Sequence, residues 1–143
     1  VVRDAEIAMA AGGVHAMHDA TEGGLARGLW EVAEASKVGL LVERKKVPLP
    51  QDIQAVCGHF ELNPFEIISE GTLVIACEPA KADAILRGFS KEGIDAAVIG
   101  EVVPLSQGRC WVNEDGTKED LLPPPVDLFW EAFGKALAEK TSG

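Results

Sequence analysis

Apolar residues along this chain recur at two periods, one helical and one strand-like, with glycine and proline marking the boundaries. Between Glu22 and Ser36, Leu25, Leu29, Val32 and Ala33 return at helical spacing, which makes this the clearest helix in the sequence. An alanine-rich stretch over 3–11 predicts a shorter helix that stops at Gly12-Gly13. Val14–Met17 reads as a short strand, and Val38–Val42 as another, ended by Pro48 and Pro50. Residues 51–61 predict a helix with Ile53, Val56, Cys57 and Phe60 on one face, and Asn63-Pro64 opens a further short helical turn.

The run Thr72–Cys77, bounded by Gly71 and Pro79, suits a buried strand. Pro79 fits the first position of a helix carrying Ala82, Ile85, Leu86 and Phe89, which Gly93 closes. Ala96–Val103 and Arg109–Val112 read as strands, with a hairpin turn at Glu114-Asp115-Gly116. After Pro123-Pro124-Pro125 a last helix carries Val126, Phe129, Trp130, Phe133 and Leu137 on one stripe. The fold class expected is α/β (α+β): one domain over 1–143 with a mixed sheet flanked by helices. The unit 79–103 resembles half of a ferredoxin-like repeat.

Length and composition narrow the function classes. A chain of 143 residues fits one domain. No apolar run approaches the ~20 residues of a membrane span, and Val1-Val2-Arg3-Asp4 is not a signal peptide. The absence of an initiating Met suggests a domain of a longer protein. A net charge of −10 argues against nucleic-acid binding, and Arg44-Lys45-Lys46 reads as a solvated loop. Cys57, Cys77 and Cys110 form no C-x-x-C pair, which fits reduced thiols in a cytoplasmic protein, Cys77 and Cys110 packing in the core. His59 lies two residues from Cys57 and so on another helix face; no metal site is expected there.

One stretch breaks the local rules: His18-Asp19-Ala20-Thr21-Glu22-Gly23-Gly24-Leu25. Asp19 with Glu22 three residues on fits a helix N-cap and its reciprocal partner. Two glycines then fall in the first turn, where each costs about 1 kcal/mol relative to alanine. Such glycines permit close approach of a ligand or of another backbone. Helix-start N–H groups favour an anion, so a phosphate-bearing ligand is one reading, and a capped helix packed tightly on a strand is the other. Neither a Walker loop nor a dinucleotide fingerprint is present.

These residues resemble a known family. His15-Ala16-Met17-His18-Asp19-Ala20-Thr21-Glu22-Gly23-Gly24-Leu25-Ala26, followed by Leu29–Ser36, is similar to the second-domain signature of the hydrogenase expression/formation protein (HypE) family. That family shows His-Ala-Met-Arg-Asp-Pro-Thr-Arg-Gly-Gly-Leu-Ala before an Asn-Glu-Ile-Ala-Glu-Ala-Ser helix. Val47-Pro48, Leu62-Asn63-Pro64, Ser69-Glu70-Gly71-Thr72-Leu73-Val74 and Ala97–Val102 continue the likeness in order, so it spans about 14–103. The wider superfamily includes the aminoimidazole-ribonucleotide (AIR) and formylglycinamidine-ribonucleotide synthetases, selenophosphate synthetase and thiamine-monophosphate kinase.

The resemblance implies a two-domain, usually dimeric, ATP-dependent enzyme that phosphorylates an amide or carboxamide oxygen. This chain would be its C-terminal domain, inactive by itself. The N-terminal domain, its first partner, would supply most ligands to ATP and Mg2+, and other hydrogenase maturation proteins would be further partners. Asp19, Thr21, Gly23, Gly24 and Gly71 would then face nucleotide phosphate or substrate, with His18 and Glu70 as catalytic candidates. The chain departs from the pattern at His18 and Glu22, where the family has Arg, and it ends Glu139-Lys140-Thr141-Ser142-Gly143 where the family ends Pro-Arg-Ile-Cys. Those departures keep two alternatives open: a superfamily enzyme with another amide or phosphate acceptor, and a non-catalytic binding or assembly module. His15 reads as a structural strand residue, and Trp30, Phe129, Trp130 and Phe133 read as core or domain-contact residues.

Overall fold

The structure, a computed structural model, describes residues 1–141; Ser142 and Gly143, at the departure from the family's cysteine tail, lie outside the described residues. Eleven elements follow in order: α1 (Val2–Ala11), β1 (Val14–Ala20), α2 (Gly24–Ser36), β2 (Gly39–Glu43), α3 (Gln51–His59), β3 (Thr72–Cys77), α4 (Pro79–Lys91), β4 (Gly100–Val103), β5 (Arg109–Val112), β6 (Lys118–Asp120) and α5 (Leu128–Thr141). The mixed sheet is present as four strands in the order β4-β2-β5-β6, β2 running parallel to β5 and antiparallel to β4. A second sheet pairs β1 with β3 alone, antiparallel. Thus β3 and β4, which a ferredoxin-like half-repeat sets in one sheet, belong to different sheets joined by α4.

Four layers result. On one side α1 and α4 bury Ala8, Ile85 and Phe89 against Met17, Ile75 and Cys77 of the two-stranded sheet. On the other side α2 buries Leu25, Ala26, Leu29 and Ala33 against Leu40, Val42, Trp111 and Leu121, with Val74 packed against the same cluster. Helix α2 therefore lies between the two sheets, and burying each large side chain there contributes about 1.5–3 kcal/mol. A register shift between Val14 and Ala16 in β1 reconciles the layers. It sets Val14 on the same face as Met17, although they are three residues apart, while Ala16, His18 and Ala20 face α2.

Several expectations give way to tertiary structure. The strand over 14–17 runs on to Ala20, so Asp19 pairs with Leu73 in the sheet and does not cap α2; the N-cap is Gly23, with no side-chain cap. Asn63-Pro64 begins a turn with no helix, and the strand expected over 96–103 is confined to Gly100–Val103. Of the expected apolar faces of α3 and α5, Cys57 of α3 is buried at 3% exposure, but most of the rest stays in solvent. Ile53, Val56 and Phe60 are 42–54% exposed, and Trp130, Phe133 and Leu137 about half exposed. β3 has α2 on one face and α1 and α4 on the other, yet each of its residues stays partly accessible, because its sheet has only two strands. No described helix is long and apolar enough to cross a membrane.

Candidate functional site: the glycine turn between β1 and α2

Leaving β1, the chain reverses through Thr21-Glu22-Gly23-Gly24. The Gly24 N–H donates to the Thr21 carbonyl at 3.0 Å, and Gly23 has φ 74, ψ 5. That is the third position of a type II turn, where a β-carbon is disfavoured, and this accounts for Gly23. Gly24, at φ 62, is required twice over: a β-carbon there would collide with the carbonyl oxygen of Ile67 and lie 2.8 Å from that of Phe65. Of the two close approaches that glycine allows, Gly24 serves that of another backbone.

The turn's polar groups divide accordingly. Gly24 N–H is held by Thr21, and Ala26 N–H donates to the Phe65 carbonyl at 2.8 Å. Gly23 N–H instead donates to a side chain 104 residues away, the Asp127 carboxylate, at 2.8 Å. Asp127 is also the capping residue of α5, its other oxygen accepting from Phe129 N–H at 3.0 Å. Arg27, one helical turn on, folds its side chain back over Gly23 and donates from Nη2 to the Pro124 carbonyl. Among the described residues no carboxylate lies within ion-pairing distance of Arg27.

The sheet register brings a second loop to the same end. Thr72 pairs with Ala20, and Ser69 N–H donates to the Thr21 carbonyl at 3.1 Å, so the exposed Glu70-Gly71 turn lies beside Thr21 and Glu22. Ser69 and Thr72 share a hydroxyl hydrogen bond of 2.7 Å across that turn. The structure therefore gathers Thr21, Gly23, Gly24, Glu70 and Gly71. His18 and Asp19 belong to opposite faces of β1 and do not act on one point. Asp19 is exposed on the α1–α4 side, whereas His18 faces α2 and its Nε2 lies 2.8 Å from Glu31 Oε2.

Arg27, Glu31 and Asp127 were not singled out from sequence. Arg27 stands four residues after Gly23, on the face turned toward the glycines, so helical spacing alone could have drawn attention to it. Asp127 is readable as a cap for α5, but its bond to Gly23 is not. Among the described residues no three His, Cys, Asp or Glu side chains converge as metal ligands, so Asp19, Glu22 and Glu70 do not form a magnesium site by themselves.

Residues 1–113, which include the glycine turn and both sheets except β6, match the family described as AIR synthase related protein, C-terminal domain. The chain belongs to this family. Among curated relatives of this AIR synthase related domain, a carbamoyl dehydratase HypE from Rhizobium leguminosarum bv. viciae is 38% identical over 99 residues, covering 66% of the chain and 28% of the relative. Two solved structures share the fold. HypE in a HypE–HypF complex superposes with a TM-score of 0.77 at 27% identity, over 85% of this chain and 40% of that one. HypE in complex with ATP gives 0.73 at 26% identity, over 79% and 36%. The AIR synthase related domain described here thus spans well under half the length of these relatives.

Proposed function

We propose that this chain is the C-terminal domain of an ATP-dependent enzyme similar to the carbamoyl dehydratase HypE, and that its glycine turn faces nucleotide phosphate or substrate. The observation that carries this reading is the Gly23 N–H, whose partner is an oxyanion supplied by a side chain. Its neighbours Gly24 and Ala26 are held by backbone carbonyls, while a side-chain carboxylate can leave. Arg27 supports the same reading. The family signature carries Arg where this chain has Glu22, and here the guanidinium over the turn comes from Arg27 instead. Together one amide donor and one cation suit the terminal oxygens of a phosphate.

ATP supplies the phosphoryl group in this reading. Gly23 and Arg27 orient its oxygens, and the Thr21 hydroxyl and Glu70 carboxylate stand at the rim to position the acceptor. His18, held by Glu31 on the α2 side, supports the turn from beneath. Mg2+ would be carried chiefly by an N-terminal domain, since the carboxylates of this chain do not converge. That domain is also the proposed occupant of the apolar faces of α3 and α5. Dimerisation through it, a cytoplasmic location and contact with other hydrogenase maturation proteins belong to the same proposal, the last supported by the HypE–HypF complex.

The test is ATP-dependent phosphate release by the protein joined to its N-terminal domain. Arg27→Ala and Glu70→Gln are each expected to lower turnover at least tenfold while the folded state persists. Wild-type turnover in both variants would refute the site.

A further inference from the structure

The two donors assigned above to phosphate, Gly23 N–H and the Arg27 guanidinium, are both occupied by oxygens of one four-residue segment, 124–127. Pro124 offers its carbonyl to Arg27 Nη2, and Asp127 offers a carboxylate oxygen to Gly23 N–H at 2.8 Å. The segment is anchored at both ends. Leu121 is buried at 1% exposure in the core beneath α2, its N–H donating to the Arg109 carbonyl at 2.8 Å, and Pro124 is buried. At the other end Asp127 caps α5, whose aromatic stripe lies largely in solvent. The core-side anchor is buried, whereas the other end is carried by a helix with largely exposed apolar side chains.

We propose that residues 124–127 form an autoinhibitory strap: Asp127 stands in for the phosphate oxygen at the glycine turn, and ligand entry requires the strap to swing away with the start of α5. This rests on the phosphate-facing reading of the turn. A carboxylate and a phosphate cannot share one amide hydrogen at hydrogen-bond distance, and they also repel each other. The strap therefore lowers apparent affinity by the fraction of molecules in which it is closed. It also couples the turn to α5, because one carboxylate serves Gly23 and Phe129 at once. Since the family match ends at residue 113, the glycine turn lies inside it and the strap outside it.

The experiment titrates the intact chain with inorganic tripolyphosphate at constant ionic strength, by calorimetry, for wild type, Asp127→Ala and Asp127→Asn. Asn retains one acceptor for the α5 cap, so it separates loss of the lock from loss of the helix. Hydrogen exchange across 121–133 is followed in the wild type with and without ligand. Both variants are expected to bind at least threefold tighter, and ligand is expected to speed exchange at Phe129 in the wild type. Equal affinity in all three proteins, with exchange unchanged, overturns the strap and leaves the turn as a binding site. Binding by none of them overturns the turn as a phosphate site, and the strap with it.

Discussion

Gly24 and Gly71 both adopt left-handed backbone, at φ 62 and φ 84, yet their surroundings differ. A β-carbon at Gly24 meets the Ile67 and Phe65 carbonyl oxygens, whereas at Gly71 nothing lies within 4 Å. Gly71→Ala carries only the conformational penalty, about 1–2 kcal/mol. Gly24→Ala adds a backbone collision and is expected to cost about 3–5 kcal/mol, in the range of severe single substitutions. Urea denaturation of the two variants measures the gap. Equal losses would show that the 65–67 loop yields freely and that Gly24 is not what holds it. The requirement for glycine was visible in the sequence as two costly residues at a helix start, but not which neighbour imposed it. Phe65 and Ile67 are more than forty residues away, and only the pairing of β1 with β3 brings them over the turn.

Helix α2 shows what its punctuation discloses and what it conceals. Its period and its glycine boundary were legible, and so were α4 between Pro79 and Gly93 and the strand Thr72–Cys77. The cap was misread because Asp19 and Glu22 satisfy a local rule that pairing with Leu73 overrides. Nor does local spacing show how the helix ends. Arg109, from β5, donates to the Val38 carbonyl at 3.1 Å and to that of Ala33 at 3.3 Å, pairs with Glu34 at 2.8 Å, and lies over the Trp30 ring at 5.6 Å from its centroid. With a side chain only 12% exposed, this guanidinium joins the Val38 N–H on the Ala33 carbonyl and satisfies the Val38 carbonyl just beyond the helix C-terminus.

Arg109→Met, which keeps the stem and removes the donors, is expected to cost about 2–3 kcal/mol by thermal or urea unfolding. A loss below about 0.5 kcal/mol would mean that water replaces those bonds. The Glu34 side chain is 40% exposed, and hydrogen bonds from Lys37 and then Arg109 hold its carboxyl below the usual value of 4.5. A lowered folded pKa gives stability that is present above 4.5 and is lost as pH falls through the lower folded value. Glu34→Gln is therefore expected to flatten the fall in stability below pH 4.5, and an unchanged slope would contradict the pairing.

At the scale of the molecule, the chain buries one core on each face of α2's neighbouring sheet and leaves a third apolar surface open on α3 and α5. Apolar periodicity identified those helices but could not say whether their stripes face the chain's own core or another body. The four-stranded sheet is already covered by α2, and Phe60, Leu62, Leu128, Ala132 and Ala136 line a groove of about 300 Å3 instead. If an N-terminal domain closes over this surface, Trp130 fluorescence is expected to shift to shorter wavelength when the domains are joined. Unchanged Trp130 emission in a variant with Trp30 and Trp111 replaced by Phe would place the domain contact elsewhere.

Everything functional depends on whether the Gly23 amide exchanges the Asp127 carboxylate for a phosphate oxygen. Amide NMR of the isotope-labelled protein during addition of ATP reads that exchange directly. The Gly23 resonance is expected to move in step with Arg27 while Gly24 and Ala26, held by backbone carbonyls, move least. A Gly23 signal that stays fixed while resonances elsewhere respond to ATP would contradict the account.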